Sequence, residues 1–176
     1  MGIVPQLSPP LSDVCNLLSR FDSRRATAAS QALTRRFPQI ELSIVVTALG
    51  EDIRLKEYVF WLFNRAGLSS AVERGGKNRH ILLLINVQNR KAVAMIGYGL
   101  EPFVAERHLQ SCLVAADAAL KRGEFGRCCE AFAEELTRQL FAVQKEIDRA
   151  FGLSDDDDWE DASAGHAIQV LVPAMS

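Results

Sequence analysis

The segment Ile81-Leu82-Leu83-Leu84-Ile85 is a run of five aliphatic residues without a polar interruption. A strand with one face in water alternates apolar and polar residues, so a continuous run suits a central strand covered by helices on both faces of its sheet. It predicts a strand over His80 to Asn86. A second strand is expected over Lys91 to Ile96, and the connection Val87-Gln88-Asn89-Arg90 is so short that the two must form an antiparallel hairpin.

Upstream, Ile40, Leu42, Ile44, Val46 and Ala48 share one face of a strand over Ile40 to Ala48. The other face starts with Glu41 and Ser43 and gives way to Val45 and Thr47, so the second half is buried on both sides. A helix over Asp52 to Ala66, dense in Ile53, Val59, Trp61, Leu62 and Phe63 and ended by Gly67, supplies the crossover that makes this strand parallel to the next. The sheet is therefore small and mixed. Leu68 to Arg79 reads as a mobile loop, made basic by Arg74, Lys77 and Arg79.

Helices are expected on both sides of these strands. Ser12 can cap a short one running to about Phe21, and Asp22 or Ser23 can cap another from Arg24 to Arg36, which Pro38 ends. Pro102 fits the first turn of a helix reaching Arg122, with Leu109, Leu113, Ala116 and Leu120 on one face and Gly123 as the break. The last, Phe125 to Phe151, carries Phe132, Leu136, Leu140, Val143, Ile147 and Phe151 on one stripe before Gly152. At ~1.5 Å per residue it is about 40 Å long, so its final turns are expected to project.

The expected fold is a three-layer α/β/α sandwich of Rossmann-like type, in which a parallel crossover and an antiparallel hairpin share one sheet. The expected divisions are an N-terminal segment with a short helix (1–23), the α/β domain (24–152), and an acidic linker with an apolar tail (153–176). The tail, Ile168-Gln169-Val170-Leu171-Val172, reads as an added edge strand or as a short motif that docks on a partner.

Length and charge narrow the function. A chain of 176 residues with 48% hydrophobic and 24% charged residues can bury a core without a disulfide or metal. Six of its 22 acids fall between Asp155 and Asp161, leaving 16 against 20 bases, a mild excess spread over several segments. That is not the concentrated basic stripe of a nucleic-acid binder, and no nucleic-acid partner is expected. The longest apolar runs are far below the ~20 residues needed to cross a bilayer. Met1 to Pro10 lacks the pattern of a signal peptide, so the chain as given is expected to be soluble and cytoplasmic.

Few catalytic constellations are present. Cys15, Cys112, Cys128 and Cys129 have no zinc-site spacing, and His80, His108 and His166 are scattered, with His108 expected on a helix surface. There is no phosphate-binding loop and no nucleophile elbow. What remains is Gly97-Tyr98-Gly99-Leu100-Glu101, where Gly97 and Gly99 bracket the turn from strand to helix. Glu101 is expected at a helix N-terminus, where the dipole favours a carboxylate. One reading is a turn and cap; the other is that Glu101 and Glu106, near the carboxyl end of the sheet, hold a hard cation such as calcium or magnesium.

The order of elements, together with Ile81 to Ile85, Arg90-Lys91, the Gly97 to Glu101 segment, Glu106 and Gly123-Glu124-Phe125, resembles the TPM domain family over roughly Arg24 to Leu140. The resemblance implies a Rossmann-like α/β/α fold. Members include a plant thylakoid protein described as a phosphatase linked to photosystem repair; others bind calcium, and many are membrane-anchored or exported. This sequence departs from the family in three places. The early V-x-D is absent, with Pro9-Pro10-Leu11-Ser12 before Asp13; Gln88-Asn89 replaces the acid of the hairpin; and Arg79-His80 replaces N-G before the central strand. With that acid set reduced, the expected role is a non-catalytic interaction or assembly module with a protein partner in a membrane or envelope complex, and a divalent cation at Glu101 and Glu106. The alternative is a metal-dependent phosphatase acting on phosphomonoesters.

Overall fold

The computed structural model describes residues 7–65 and 79–150. Its element order is β1 (Leu11–Asp13), α1 (Arg20–Arg36), β2 (Glu41–Thr47), α2 (Leu55–Arg65), β3 (His80–Asn86), β4 (Lys91–Ile96), α3 (Glu106–Arg122) and α4 (Phe125–Ala150). The four strands lie in sequence order, β1-β2-β3-β4. β1 and β2 are parallel, as are β2 and β3, whereas β4 returns antiparallel to β3. The sheet is mixed, as the short hairpin and the helical crossover require.

Residues two apart share a face, and the two faces have separate cores. Leu42, Ile44 and Val46 of β2 and Ile81, Leu83 and Ile85 of β3 pack with α1, α3 and α4. Val45, Leu82 and Leu84 point the other way, against Val59, Leu62 and Phe63 of α2. The five aliphatic residues of β3 are all fully buried, so the uninterrupted run is the signature of a strand with helices on both faces. This is the α/β/α sandwich.

The expected helix from Ser12 to Phe21 does not form. Leu11–Asp13 is instead a strand whose register is Leu11 with Ile44 and Asp13 with Val46. At three residues it is too brief to show a period, and pairing with a distant strand outweighs local capping preference. Asp13 then turns the chain, its carboxylate accepting the Leu17 N–H at 2.9 Å and the Leu18 N–H at 2.8 Å.

Helix α1 starts at Arg20 rather than Arg24, because Ser19 is the N-cap and accepts the Asp22 N–H at 3.0 Å. Helix α2 starts at Leu55 rather than Asp52. Helix α3 starts at Glu106 rather than Pro102 and ends as expected at Gly123, with φ 74°. Gly67, Gly152, most of the loop 68–79, the acidic run and the C-terminal tail lie outside the described residues.

The sheet, α1 to α3, and α4 as far as Val143 belong to one compact unit; the last turns of α4 belong to a second that begins at Gln144. Within the first unit, Arg25 of α1 forms a bidentate ion pair with Glu130 of α4. The Gly126 N–H donates to Asp22 Oδ1 at 3.1 Å, so α1 and the start of α4 meet without room for a side chain. No helix among the described residues is long and apolar enough to cross a membrane.

Candidate functional site

Direction of β4 decides where the glycine segment sits. Because β4 is antiparallel, its Ile96 lies beside Ile81, and the Gly97 N–H donates to the His80 carbonyl at 2.8 Å. The segment therefore leaves the sheet at the amino-terminal end of β2 and β3. The expectation that Glu101 and Glu106 lie at the carboxyl end of the parallel strands is corrected on this point, since the hairpin carries them to the opposite end.

From Gly97 to Val104 the chain makes consecutive turns: Leu100 N–H donates to Gly97 C=O at 2.9 Å, and Val104 N–H to Leu100 C=O at 2.8 Å. Leu100 and Val104 are buried, while Tyr98 and Phe103 are exposed. Gly97 and Gly99 are buried, and the positive φ of a glycine falls on Gly123 among the described residues.

Glu101 lies in these turns and not at a helix terminus. Glu106 occupies the first turn of α3, where the dipole favours its charge. The cap comes from His108, whose Nδ1 accepts the Ala105 N–H at 3.0 Å. His108 thus holds the helix start rather than lying idle on its surface.

The turns bring Glu101 and Glu106 into one groove of about 570 Å³ that follows the outer edge of β4. Lys56, Val59 and Phe60 of α2 form one wall and Val104, Ala105 and Leu109 the other, with Val93 to Ile96 as the floor. Of the aromatic cluster in α2, Phe63 is buried in the core and Phe60 stands 60% exposed at this groove. The Glu101 and Glu106 carboxylates have no hydrogen-bond or ion-pair partner among the described residues, unlike those of Glu41, Glu124, Glu130 and Glu135.

Donor chemistry does not fit a dedicated metal centre here. Calcium takes ~6–8 oxygen ligands and magnesium a strict octahedron, and no group of three or more ligating side chains gathers among the described residues. The cysteines add nothing: Cys112, Cys128 and Cys129 are buried and Cys15 is exposed. Burial, aided for Cys112 by the nearby Glu135, pushes the Cys112 thiol up to about 12, and burial does the same to Cys128. Such thiols are inert.

Two residues had further roles that their sequence neighbourhood did not reveal. Arg90, in the hairpin turn with φ 52°, donates from its guanidinium to the Lys121 carbonyl at 2.6 Å and so closes the C-terminus of α3. Asn86, fully buried at the end of β3, accepts the Leu49 N–H at 2.9 Å and donates to the Leu49 carbonyl at 2.9 Å. A polar residue ending an apolar strand was the available signal for the second.

A mixed four-stranded sheet between one helix and three, with buried glycine turns leading from its antiparallel edge strand into α3, defines the class. A family model described as the TPM domain matches residues 11–139, and the chain belongs to that family.

Solved structures share the fold. The BA42 protein of the psychrophilic bacterium Bizionia argentinensis superposes with a TM-score of 0.63 at 13% identity, covering 74% of this chain and 86% of that one. The N-terminal domain of the cg2496 protein of Corynebacterium glutamicum gives 0.56 at 13% identity over 96% and 97%. The N-terminal domain of a P. gingivalis protein gives 0.52 at 22% identity over 81% and 83%. Compared with curated proteins, the sequence matches none.

Proposed function

We propose that this TPM domain is a non-catalytic interaction module that assists assembly or turnover of a protein complex at a membrane or envelope. The observation that carries the reading is the groove along β4, where apolar walls, a strand edge left open among the described residues and two unpaired carboxylates occur together. Interaction sites of this kind combine an apolar floor with a few placed charges. A divalent cation at Glu101 and Glu106 would complete its shell with water, so calcium or magnesium would bind weakly there.

The alternative, a metal-dependent phosphatase, needs positive groups or a metal to offset charge developing on the transferred phosphoryl group. Lys56 is the basic residue that lines the groove beside Glu101 and Glu106. The test is hydrolysis of an aryl phosphate with and without magnesium or calcium, repeated on Glu101→Gln and Glu106→Gln. The module reading expects no turnover in any arm. Metal-dependent turnover abolished by either substitution would overturn it.

A further inference from the structure

The Gly97 to His80 hydrogen bond sets the phase of the β3–β4 ladder. In an antiparallel pair the bonded residues alternate, so Lys91, Val93, Met95 and Gly97 turn their backbone groups toward β3. Ala92, Ala94 and Ile96 turn theirs outward. Among the described residues β4 is an edge of the sheet, and its own sequence has no proline and a single charge, Lys91, at its start, with an unbroken register to β3. Its outer edge forms the floor of a groove with α2 on one side and the start of α3 on the other.

Resting on the module reading, we propose that this groove accepts an extended segment of a partner protein as a fifth strand. Alternate apolar side chains of that segment enter against Val59 and Phe60 on one wall and Val104 and Leu109 on the other. Its backbone pairs with the outward groups of Ala92, Ala94 and Ile96, as in strand-addition recognition. Charge sets the chemistry of the occupant. Glu101 and Glu106 lie unpaired beside the Ile96 end, so a lysine or arginine of the partner segment belongs there.

A second copy of this chain fits less well. Its own β4 carries α2 and α3 alongside, and those helices would meet their counterparts across the groove. A lone strand brings no such flanks.

The experiment selects binders from a displayed library of random short peptides and measures them by fluorescence anisotropy and by amide exchange. The expected winners alternate β-branched or aromatic residues and carry lysine or arginine at one end. They slow exchange at Ala92, Ala94 and Ile96 while leaving Val93 and Met95 unchanged. Two exposed ion pairs are lost in the Glu101→Gln, Glu106→Gln double variant, which should weaken binding roughly five- to tenfold and remove the basic preference.

Ala94→Pro removes the central outward N–H at an edge position where proline is tolerated, and should abolish binding. Should that variant fail to fold, peptides N-methylated at alternate amides carry the same test from the ligand side, and one of the two methylation phases must bind far more weakly. Three results would overturn the proposal: no enriched peptide, binding that leaves the three outward amides unprotected, or protection arising from concentration-dependent dimerisation in the absence of peptide. Failure of the module reading itself is read separately, by metal-dependent phosphatase turnover.

Discussion

Replacing Asn86 with alanine tests whether one buried amide holds the turn after β2 in place. The side chain is fully buried and makes three hydrogen bonds: with the Leu49 N–H and the Leu49 carbonyl at 2.9 Å each, and with the Gln88 N–H at 3.3 Å. Truncation strands the Leu49 N–H and carbonyl, both at a half-buried residue, while the Gln88 N–H belongs to an exposed one that water can reach. A stranded group costs about 1–3 kcal/mol when fully buried, so two half-buried ones come to roughly 2–3 kcal/mol. A chain of this length loses about 2–4 °C of melting temperature per kcal/mol, so the midpoint should fall by roughly 4–12 °C.

Urea unfolding should show a lower midpoint with an unchanged slope, because the surface exposed on unfolding is nearly the same. A loss below about 1 kcal/mol would refute the reasoning, since it is less than the cost expected for even one stranded group. Asn86→Asp adds a sign. Burial raises a carboxyl's folded-state pKa above its unfolded ~3.9, so this variant should be closest to the parent at low pH and lose stability as pH rises through that raised value. A variant that grows more stable with rising pH would contradict the burial of this position.

Two further outcomes follow from the packing. Gly126→Ala would place its methyl 2.5 Å from Asp22 Oδ1 and 2.8 Å from Asp22 Cα, a clash with backbone, so chemical denaturation should register a loss of about 1–3 kcal/mol; parent-like stability would mean the α1–α4 approach is looser. With a disulfide reagent at mildly alkaline pH, Cys15 should react promptly and Cys112, Cys128 and Cys129 only on unfolding, because burial holds the first two of those thiols up to about 12 and raises Cys129 as well. More than one fast-reacting thiol in the native protein would oppose this.

Local signals carried much of the architecture. The aliphatic run of β3, the short connection to β4, the parallel crossover and the Gly123 stop all depend on neighbours in sequence, and periodicity and turn chemistry expose them directly. Helix starts were less legible, since several good caps compete. Ser19 wins over Asp22 and Ser23, and His108 caps α3 four residues beyond the start that Pro102 marked.

The candidate site divides in the same way. That Glu101 and Glu106 follow a glycine-rich turn can be read from the chain, and so can the residues that place it in the TPM family. Which end of the sheet they occupy cannot, because it depends on β4 running back along β3. Nor can the strand at Leu11–Asp13, which exists only through pairing with Ile44 to Val46, or the groove formed when α2 and the turn before α3 flank the edge of β4. Sequence alone determined the elements whose stability comes from residues within a few positions of each other. The tertiary structure decided everything that rests on contacts between distant segments, because the register and direction of strands are set by long-range backbone pairing and burial.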